Sequence, residues 1–290
     1  MSSLSALSTS PPGRNAEAPG ARPPLAEVWT TVAGRRIFAR INAQAAPPEQ
    51  PPIVLVHGLG VSGRYLVPTA RLLAAHYPVY LPDLPGFGRS AKAGGYHGIQ
   101  ELADLLLAWM DTWQLDRAVL LGNSLGCQII AHAAARHPER IAAAILTNPT
   151  VDPASLPTAR ILTRFLRAIP HEPLSLAAIV ACDYLTAGPL RMARSGVSML
   201  RDRVQTRLPQ MPMPTLVVRG EHDSIVSRAW AQEVTSLLPN GRLVELPGGC
   251  HGICYDAAPQ LAATVCAFLE RCLPSAPGAT QACARTSPAQ

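Results

Sequence analysis

The amino-acid sequence predicts an α/β protein, with a mostly parallel, doubly wound sheet and a helical cap inserted between two strands. Short continuous apolar runs, as expected for strands buried on both faces, alternate with segments of helical spacing. The alternation breaks once, over 152–212, where about sixty residues show helical spacing and no clear strand. Strands that alternate with helices in this way are typical of a parallel sheet covered on both faces.

The composition indicates a globular protein and argues against several classes. Of the 290 residues, 48% are apolar and 15% are charged, so the chain can bury a large core. It contains neither a run of about eighteen apolar residues nor a signal-peptide pattern, and we expect no membrane span and a cytoplasmic location. The net charge of +6 is mild, and no basic run carries interleaved aromatics, which argues against nucleic-acid binding.

The first half of the chain alternates strands and helices after a proline-rich tail. Residues 1–25 are small, polar and rich in proline, which predicts disorder. Apolar runs predict four strands, the first two joined as a hairpin, at 28–32, 36–41, 53–56 and 79–81. Helical spacing predicts helices at 66–76 and 99–113.

The second half continues this alternation on both sides of the cap. The same criteria predict strands at 118–121, 141–146, 215–218 and 243–246, and helices at 127–136, 228–238 and 257–272. Prolines and a glycine divide the cap into predicted helices at 158–168, 174–185 and 190–208. We therefore expect a core of 26–151 and 213–273, a cap of 152–212, and disordered tails at 1–25 and 274–290.

The stretch Gly122-Asn123-Ser124-Leu125-Gly126 is the most informative motif in the chain. It lies between a predicted strand and a predicted helix, which is the context of a nucleophile elbow. The sharp turn leaves no room for neighbouring side chains, so glycines at both ends have a steric role. The pattern predicts that Ser124 projects its hydroxyl from the top of the sheet, beside a helix N-terminus that offers free N–H groups.

Four further loops follow predicted strands, and the reactive groups of open parallel sheets collect at such strand ends. They are His57-Gly58-Leu59-Gly60, Asp83-Leu-Pro-Gly-Phe-Gly-Arg-Ser90, Gly220-x-x-Asp223 and Gly249-x-His251. Together with the elbow they place Ser, Asp and His in the chain order of one large superfamily. Over about residues 26–273 the chain thus resembles the α/β-hydrolases.

This resemblance implies a Ser-His-Asp triad. Ser124 would be the nucleophile and His251 the base that takes its proton, since an imidazole titrates near neutral pH. Asp223 would hold the imidazole tautomer and stabilise its positive charge. Asp152 is an alternative acid, because it follows the strand at 141–146, where some family members place this residue; the loop that contains Asp223 matches the commoner pattern.

The resemblance also implies an oxyanion hole formed by the backbone N–H groups of Leu59 and Leu125. Gly58 and Gly60 would let this backbone approach the substrate closely, and Asn123 would contact the substrate beside the nucleophile. His57 is expected to support its loop, without a part in proton transfer. The loop 83–90 is expected to be architectural, with its arginine tying neighbouring segments together.

The seven cysteines are odd in number and irregularly spaced, which argues against a disulfide framework. The pair Cys250-x-x-x-Cys254 has His251 between its members, yet no second Cys or His pair stands at a zinc-like spacing. We therefore expect neither a metal site nor an organic cofactor.

The sequence favours hydrolysis of a carboxylic ester through an acyl-enzyme. Alternatives within the fold are a carbon–carbon bond hydrolase of aromatic ring-cleavage products, a lactonase, a thioesterase and an acyltransferase; a non-enzymatic ligand receptor is the alternative outside it. The cap is expected to be mobile and to select a small-molecule ester, apolar or weakly acidic, with a medium-sized apolar acyl or alcohol group. Its apolar residues are expected to face the pocket, among them Leu162, Phe165, Leu166 and Ile179, and a cap arginine turned inward would hold a carboxylate.

Overall fold

The computed structural model describes residues 24–42, 50–92, 95–150, 152, 163–164, 168 and 171–273. The tails that we expect to be disordered lie outside the described residues, except for Pro24 and Leu25. Most of the helix predicted at 158–168 lies outside them as well, together with Leu162, Phe165 and Leu166.

Eight strands form one sheet in the described part of the chain. They are β1 (Ala26–Val32), β2 (Arg35–Ile41), β3 (Ile53–Val56), β4 (Val79–Pro82), β5 (Ala118–Asn123), β6 (Ile141–Thr147), β7 (Thr215–Gly220) and β8 (Gly241–Leu246). Their order across the sheet is β1-β2-β4-β3-β5-β6-β7-β8. The β1–β2 and β2–β4 pairings are antiparallel and the other pairings are parallel, so the prediction of a mostly parallel sheet is confirmed.

Seven α-helices longer than one turn are described. They are α1 (Val67–Leu73), α2 (Ile99–Thr112), α3 (Leu125–Arg136), α4 (Leu174–Ala187), α5 (Pro189–Arg201), α6 (Arg228–Leu237) and α7 (Ala258–Cys272). Within the described ranges, no helix has both the length and the apolar character needed to cross a bilayer.

The two faces of the sheet carry separate apolar cores, which explains the continuous apolar runs. Alternate residues of one strand point to opposite faces, so Val54 and Val56 of β3 pack with α2, α3 and α6. Ile53 and Leu55 of the same strand pack on the other face with α1 and α7. Every residue of β3, β5, β6 and β7 is buried, as expected for central parallel strands covered by helices on both faces.

Between β6 and β7 the described chain contains α4 and α5 and no strand. Gly188, with φ of +81°, separates the two helices, and this left-handed conformation suits glycine. The helix predicted at 190–208 is shorter than expected, because Asp202 adopts an extended conformation directly after α5. Two short 3-10 turns, Val204–Thr206 and Leu208–Gln210, then lead into β7.

Candidate active site

The predicted site residues lie at one edge of the sheet. Ser124 follows β5, Asp223 lies three residues beyond β7, and His251 lies in the loop after β8. These strands are parallel, so their carboxyl ends meet at this edge, where open α/β sheets bind their ligands. Ser124 and His251 line the same cavity.

Ser124 has a strained backbone conformation, with φ of 56° and ψ of −117°. A residue with a side chain rarely adopts this conformation, so a non-glycine residue here points to a functional reason. The tight packing around the turn explains the flanking glycines. A Cβ atom at Gly122 would lie 2.7 Å from the carbonyl carbon of Gly126, and one at Gly126 would overlap the carbonyl oxygen of Val56.

Asp223 holds the imidazole of His251 in one orientation. The Nδ1 atom of His251 lies 2.9 Å from Oδ2 of Asp223. The other carboxylate oxygen, Oδ1, accepts hydrogen bonds from the backbone N–H groups of Ile225 at 2.7 Å and Val226 at 3.0 Å. A carboxylate can only accept a hydrogen bond, so Nδ1 carries the hydrogen and Nε2 is the basic nitrogen of the ring.

Opposing effects act on the pKa of His251. Burial disfavours the charged ring and lowers the pKa, but the charge and hydrogen bond of Asp223 raise it, as do the charges of Glu172 and Asp256. The net result is a pKa above the ordinary value of 6.5. Three carboxylates thus favour the imidazolium that forms when the ring takes a proton.

The alternative acid, Asp152, belongs to a different set of contacts. Its Oδ2 accepts a hydrogen bond from the Ser227 hydroxyl at 2.7 Å and forms an ion pair with Arg164 at 2.9 Å. Ser227 caps the N-terminus of α6 by accepting from the backbone N–H of Trp230. Asp152 therefore ties the segment after β6 to α6, and the carboxylate on the His251 ring is that of Asp223.

The two predicted oxyanion donors belong to a helix start and a loop next to the nucleophile. Leu125 is the first residue of α3, and the first N–H groups of a helix have no partner within it. Leu59 lies in the turn after β3 and lines the cavity with Ser124. The oxyanion role of their N–H groups stays a prediction.

Tyr65, which we did not single out from the sequence, connects the two sides of the site. Its hydroxyl accepts a hydrogen bond from the backbone N–H of Gly58 at 2.9 Å and donates one to Oδ1 of Asn123 at 2.9 Å. Burial raises the pKa of Tyr65 well above its usual value, which keeps the hydroxyl protonated as a donor. No motif marks this residue, because its role depends on a contact between distant segments.

Asn123 and Gly60, both predicted to contact the substrate, differ in their position relative to the cavity. Asn123 lies in the cavity wall, but its amide donates to the Thr147 hydroxyl at 3.2 Å and to the backbone of His251 at 3.4 Å. Gly60 is not among the cavity-lining residues, and the sulfur of Met192 from α5 packs directly over it. Contact of the substrate with either residue stays a prediction.

His57 supports its loop, as predicted. The ring is fully buried; its Nδ1 atom lies 2.9 Å from the Gly58 carbonyl oxygen, and its Nε2 accepts from the backbone N–H of Leu84 at 2.8 Å. Burial lowers the pKa of His57, which fits a neutral ring with Nδ1–H as donor. Asp83, also buried, accepts from the N–H groups of Gly63 and Arg89, so the loop 83–90 is held as an architectural element.

The site cavity has a volume of about 160 Å³ and a largely apolar lining. The cap supplies six lining residues, namely Ala168, Glu172, Leu176, Ala177, Val180 and Tyr184. Ile179 packs on the core and does not line the cavity. Among the described lining residues, the charged side chain that the cap contributes is that of Glu172.

A buried carboxylate fastens the cap to the loop that follows β3. Asp183 of α4 accepts hydrogen bonds from the backbone N–H of Ser62 at 2.8 Å and from its hydroxyl at 2.7 Å. It also forms an ion pair with Arg64 at 2.6 Å. The loop that contains Leu59 therefore has a direct link to a cap helix.

The residues that suggested a metal have other partners. The thiol of Cys250 lies 3.3 Å from the backbone carbonyl oxygen of His171, and that of Cys254 lies 3.5 Å from the Thr147 hydroxyl. Burial raises the pKa of Cys254 to about 12, so this thiol remains protonated. Among the described residues no group of three or more His, Cys, Asp or Glu side chains could hold a metal ion.

Two family models match this chain over separate stretches. A model described as alpha/beta hydrolase fold matches residues 51–172, and one described as TAP-like protein matches residues 192–283. The first stretch contains the elbow and the loop after β3, and the second contains the segments with Asp223 and His251.

Known proteins and structures show similarity over most of the described chain. The pimeloyl-[acyl-carrier protein] methyl ester esterase of Edwardsiella ictaluri is 26% identical, over 75% of this chain and 93% of its own length. Polyketide synthase ThaQ of Burkholderia thailandensis is 28% identical over 78% of this chain, which spans only 12% of that protein. The crystal structure of the enol-lactonase from Burkholderia xenovorans is 26% identical, with a TM-score of 0.71 over 83% of this chain and 99% of that one.

Proposed function

Because this chain belongs to the α/β-hydrolase superfamily, we propose that it is a serine hydrolase that cleaves carboxylic esters through an acyl-enzyme on Ser124. The observation that carries the proposal is the strained backbone of Ser124, in one cavity with an imidazole that Asp223 orients. The esterase among the relatives supports this choice of bond.

The proposed reaction has two halves. In the first, the Ser124 hydroxyl attacks the ester carbonyl carbon while Nε2 of His251 takes its proton. The negative charge that develops on the carbonyl oxygen is stabilised by the N–H groups of Leu59 and Leu125. The bond to the alcohol then breaks, and the imidazolium returns the proton to the departing oxygen. In the second half, water attacks the acyl-enzyme by the same route and releases the acid.

The cavity favours a compact apolar substrate. Its small volume and its leucine, valine and alanine side chains suit a short apolar acyl or alcohol group. We propose that residues 152–212 act as a cap over this cavity and that its lining side chains select among substrates. In this proposal, residues 26–151 and 213–273 form the α/β-hydrolase core on which the cap lies.

A lactone is the second candidate substrate class. It is a cyclic ester, so the same attack by Ser124 opens the ring and leaves a hydroxy acid after hydrolysis. The similarity to an enol-lactonase at 26% identity supports its inclusion. Both classes require the same catalytic groups and differ only in how the cavity accommodates the alcohol portion.

A labelling experiment tests the proposal. A small fluorophosphonate should modify Ser124 in the purified protein, and p-nitrophenyl butyrate should be hydrolysed, because both depend on an activated serine. Ser124→Ala should abolish labelling and reduce kcat at least 1,000-fold, since only oxyanion and binding effects remain. The matched control is Ser236→Ala, which removes an exposed hydroxyl bonded within α6 and should leave both readouts unchanged.

The substrates tested should include a lactone and a dienone with a cleavable carbon–carbon bond, in addition to p-nitrophenyl esters. Ester turnover without dienone turnover would support the proposal. A protein that neither labels nor hydrolyses any ester would instead point to a ligand-binding role for the fold.

A further inference from the structure

Asn148 is a buried polar residue between the strands that carry the predicted triad. It follows β6 directly, and β6 lies between β5, which ends beside Ser124, and β7, which leads to Asp223. The residue is fully buried. Its backbone has a φ of +46°, in the left-handed region that asparagine adopts more readily than most residues with a side chain. This combination at the edge of the site points to a specific task.

The side-chain amide of Asn148 bonds to two different loops. Its Nδ2 group donates hydrogen bonds to the backbone carbonyl oxygens of Cys250 at 3.0 Å and His251 at 2.8 Å. Its Oδ1 atom accepts one from the backbone N–H of Gly220 at 2.9 Å. These partners use both hydrogens and the oxygen of the amide, and they fix its orientation. A rotated amide would set its NH2 group against an N–H group and its oxygen against two carbonyl oxygens.

Each of the two loops carries one member of the predicted triad. Gly220 ends β7, and its carbonyl oxygen accepts from the backbone N–H of Asp223 at 3.0 Å. The other two contacts of the amide are made with His251 itself and with the residue before it. The amide therefore connects the backbone near the acid to the backbone of the base, whose side chains meet at 2.9 Å.

A second asparagine contacts the base less closely. The amide of Asn123 lies 3.4 Å from the carbonyl oxygen of His251, whereas that of Asn148 lies 2.8 Å from it. The other hydrogen bonds of the Asn123 side chain are made with Tyr65 and Thr147. The side chain that joins the base loop to the acid loop is that of Asn148.

We propose that Asn148 is a positioning residue, which holds the backbones of Asp223 and His251 at the separation that their side-chain hydrogen bond needs. This inference rests on the proposed serine hydrolysis and adds a residue to it. Asn148 is not among the described residues that line the cavity, so it acts through His251. Its loss should lower kcat more than it changes KM, because the imidazole takes part in the chemical step.

The first test compares two asparagines that have the same set of hydrogen bonds. Asn42 is also buried; its Nδ2 group donates to the backbone carbonyl oxygens of Ala74 at 3.1 Å and Tyr77 at 3.2 Å, and its Oδ1 accepts from the N–H of Val79 at 2.6 Å. Val79 begins β4, so this cluster lies at the edge of the sheet opposite the site. Asn148→Gly and Asn42→Gly each remove three buried contacts, and both should lower the thermal midpoint.

The two variants should differ in activity. With p-nitrophenyl butyrate, Asn148→Gly should lower kcat about 10- to 100-fold with KM within about threefold, because misplacing a catalytic group by about 1 Å costs about this much. Labelling of Ser124 by a fluorophosphonate should slow in the same way. Asn42→Gly should retain kcat within about twofold. Glycine at position 148 accepts the left-handed backbone, so the loss reports the side chain.

A proton NMR signal reports the contact between Asp223 and His251 directly. The hydrogen on Nδ1 of His251 is bonded to a carboxylate, which should place its signal downfield of the amide protons. The signal is assigned by its absence in Asp223→Asn. It should be lost or broadened in Asn148→Gly and remain in Asn42→Gly.

The pH profile gives a further readout. The charge and hydrogen bond of Asp223 raise the pKa of His251, as do the charges of Glu172 and Asp256. A weaker contact with Asp223 lowers this pKa, so the acid limb of kcat/KM should move to lower pH in Asn148→Gly. A purely structural loss would lower the whole profile without moving this limb.

A second variant keeps the inference testable if Asn148→Gly does not fold. Asn148→Asp preserves the size of the side chain, its tolerance of the left-handed backbone and the acceptor for Gly220, but it removes both donors to the base loop. Its control is Asn42→Asp, which makes the same chemical change at the other buried cluster. The kcat of Asn148→Asp should be at least about tenfold below that of this control.

The outcomes separate this inference from the proposed function. A folded Asn148→Gly that keeps either wild-type kcat or an unchanged Nδ1 proton signal overturns the inference and leaves the serine hydrolase intact. An equal loss of kcat in Asn42→Gly does the same. If the wild-type protein neither labels at Ser124 nor hydrolyses any ester, the proposed function fails. The NMR comparison of the two glycine variants still decides the inference in that case, and retention of the signal in Asn148→Gly overturns it.

Discussion

Replacing Asp223 with asparagine should reverse the tautomer of His251. Oδ1 of Asp223 accepts two backbone N–H groups, so an asparagine must place its carbonyl oxygen there. The opposite orientation would set an NH2 group against two donors, at a cost of about 1–3 kcal/mol for each unsatisfied group. The amide nitrogen then faces Nδ1 of His251, which has to accept in place of donating.

The consequence for the reaction is large. With Nδ1 as the acceptor, Nε2 carries the proton and is unable to take another from Ser124. The variant also loses the negative charge that stabilises the imidazolium. We expect kcat to fall about 1,000- to 10,000-fold, or about 4–5.5 kcal/mol in the barrier, by analogy with the same change in serine proteases. KM should change little, because the side chain lies behind the imidazole.

The assay is p-nitrophenyl butyrate hydrolysis, with the thermal midpoint as a check on folding. Asp152→Asn is the matched control, since it makes the same chemical change in a buried aspartate bonded to Ser227 and Arg164. This control should retain kcat within about threefold, although it should lower stability because it breaks a largely buried ion pair. The reasoning is refuted if Asp223→Asn keeps more than a tenth of kcat, or if Asp152→Asn is the more damaging change.

Three further predictions follow from the geometry. The kcat/KM should decline as the pH falls through a midpoint above 6.5, because the raised pKa of His251 protonates the base; a midpoint below 6.5 would contradict the charge argument. Gly126→Ala should lower the free energy of unfolding, measured with denaturant, by about 3 kcal/mol or more, because the new Cβ would overlap a backbone carbonyl. Its control is Gly196→Ala on α5, where the Cβ would enter open space, and this change should be neutral or stabilising. Tyr65→Phe should lower kcat about tenfold or more and reduce stability, because it leaves two buried polar groups unpaired. The control Tyr255→Phe, which loses one exposed hydrogen bond, should change neither kcat nor stability. Equal effects of the two variants would refute this prediction.

The sheet was predictable from the sequence because its central strands are buried on both faces. Such strands appear as continuous apolar runs, and those at 53–56 and 141–146 differ from the observed β3 and β6 by at most one residue. The cap was less predictable. Its helices pack on the core with one face only, and the end of α5 depends on the extended backbone of Asp202, which no residue pattern signals.

The candidate site divides in the same way. Ser124, Asp223 and His251 each lie in a short glycine-marked loop after a strand, so local patterns locate them. Tyr65 and Glu172 were not singled out, because each acts through contacts with segments far away in the chain. The packing of Met192 over Gly60 is likewise a contact between cap and core that spacing along the chain does not reveal.

The buried Asp183 limits how this protein can be recombined with its relatives. A chimaera that receives a foreign cap without an acidic residue at this position would leave the Arg64 cation and the Ser62 donors of the core unmatched. Water can reach the half-exposed Arg64, but Ser62 is buried, and each buried donor without an acceptor costs about 1–3 kcal/mol, which is a large share of the stability of a domain. A cap exchange should therefore keep Ser62, Arg64 and Asp183 together, so that all three residues come from the same parent protein.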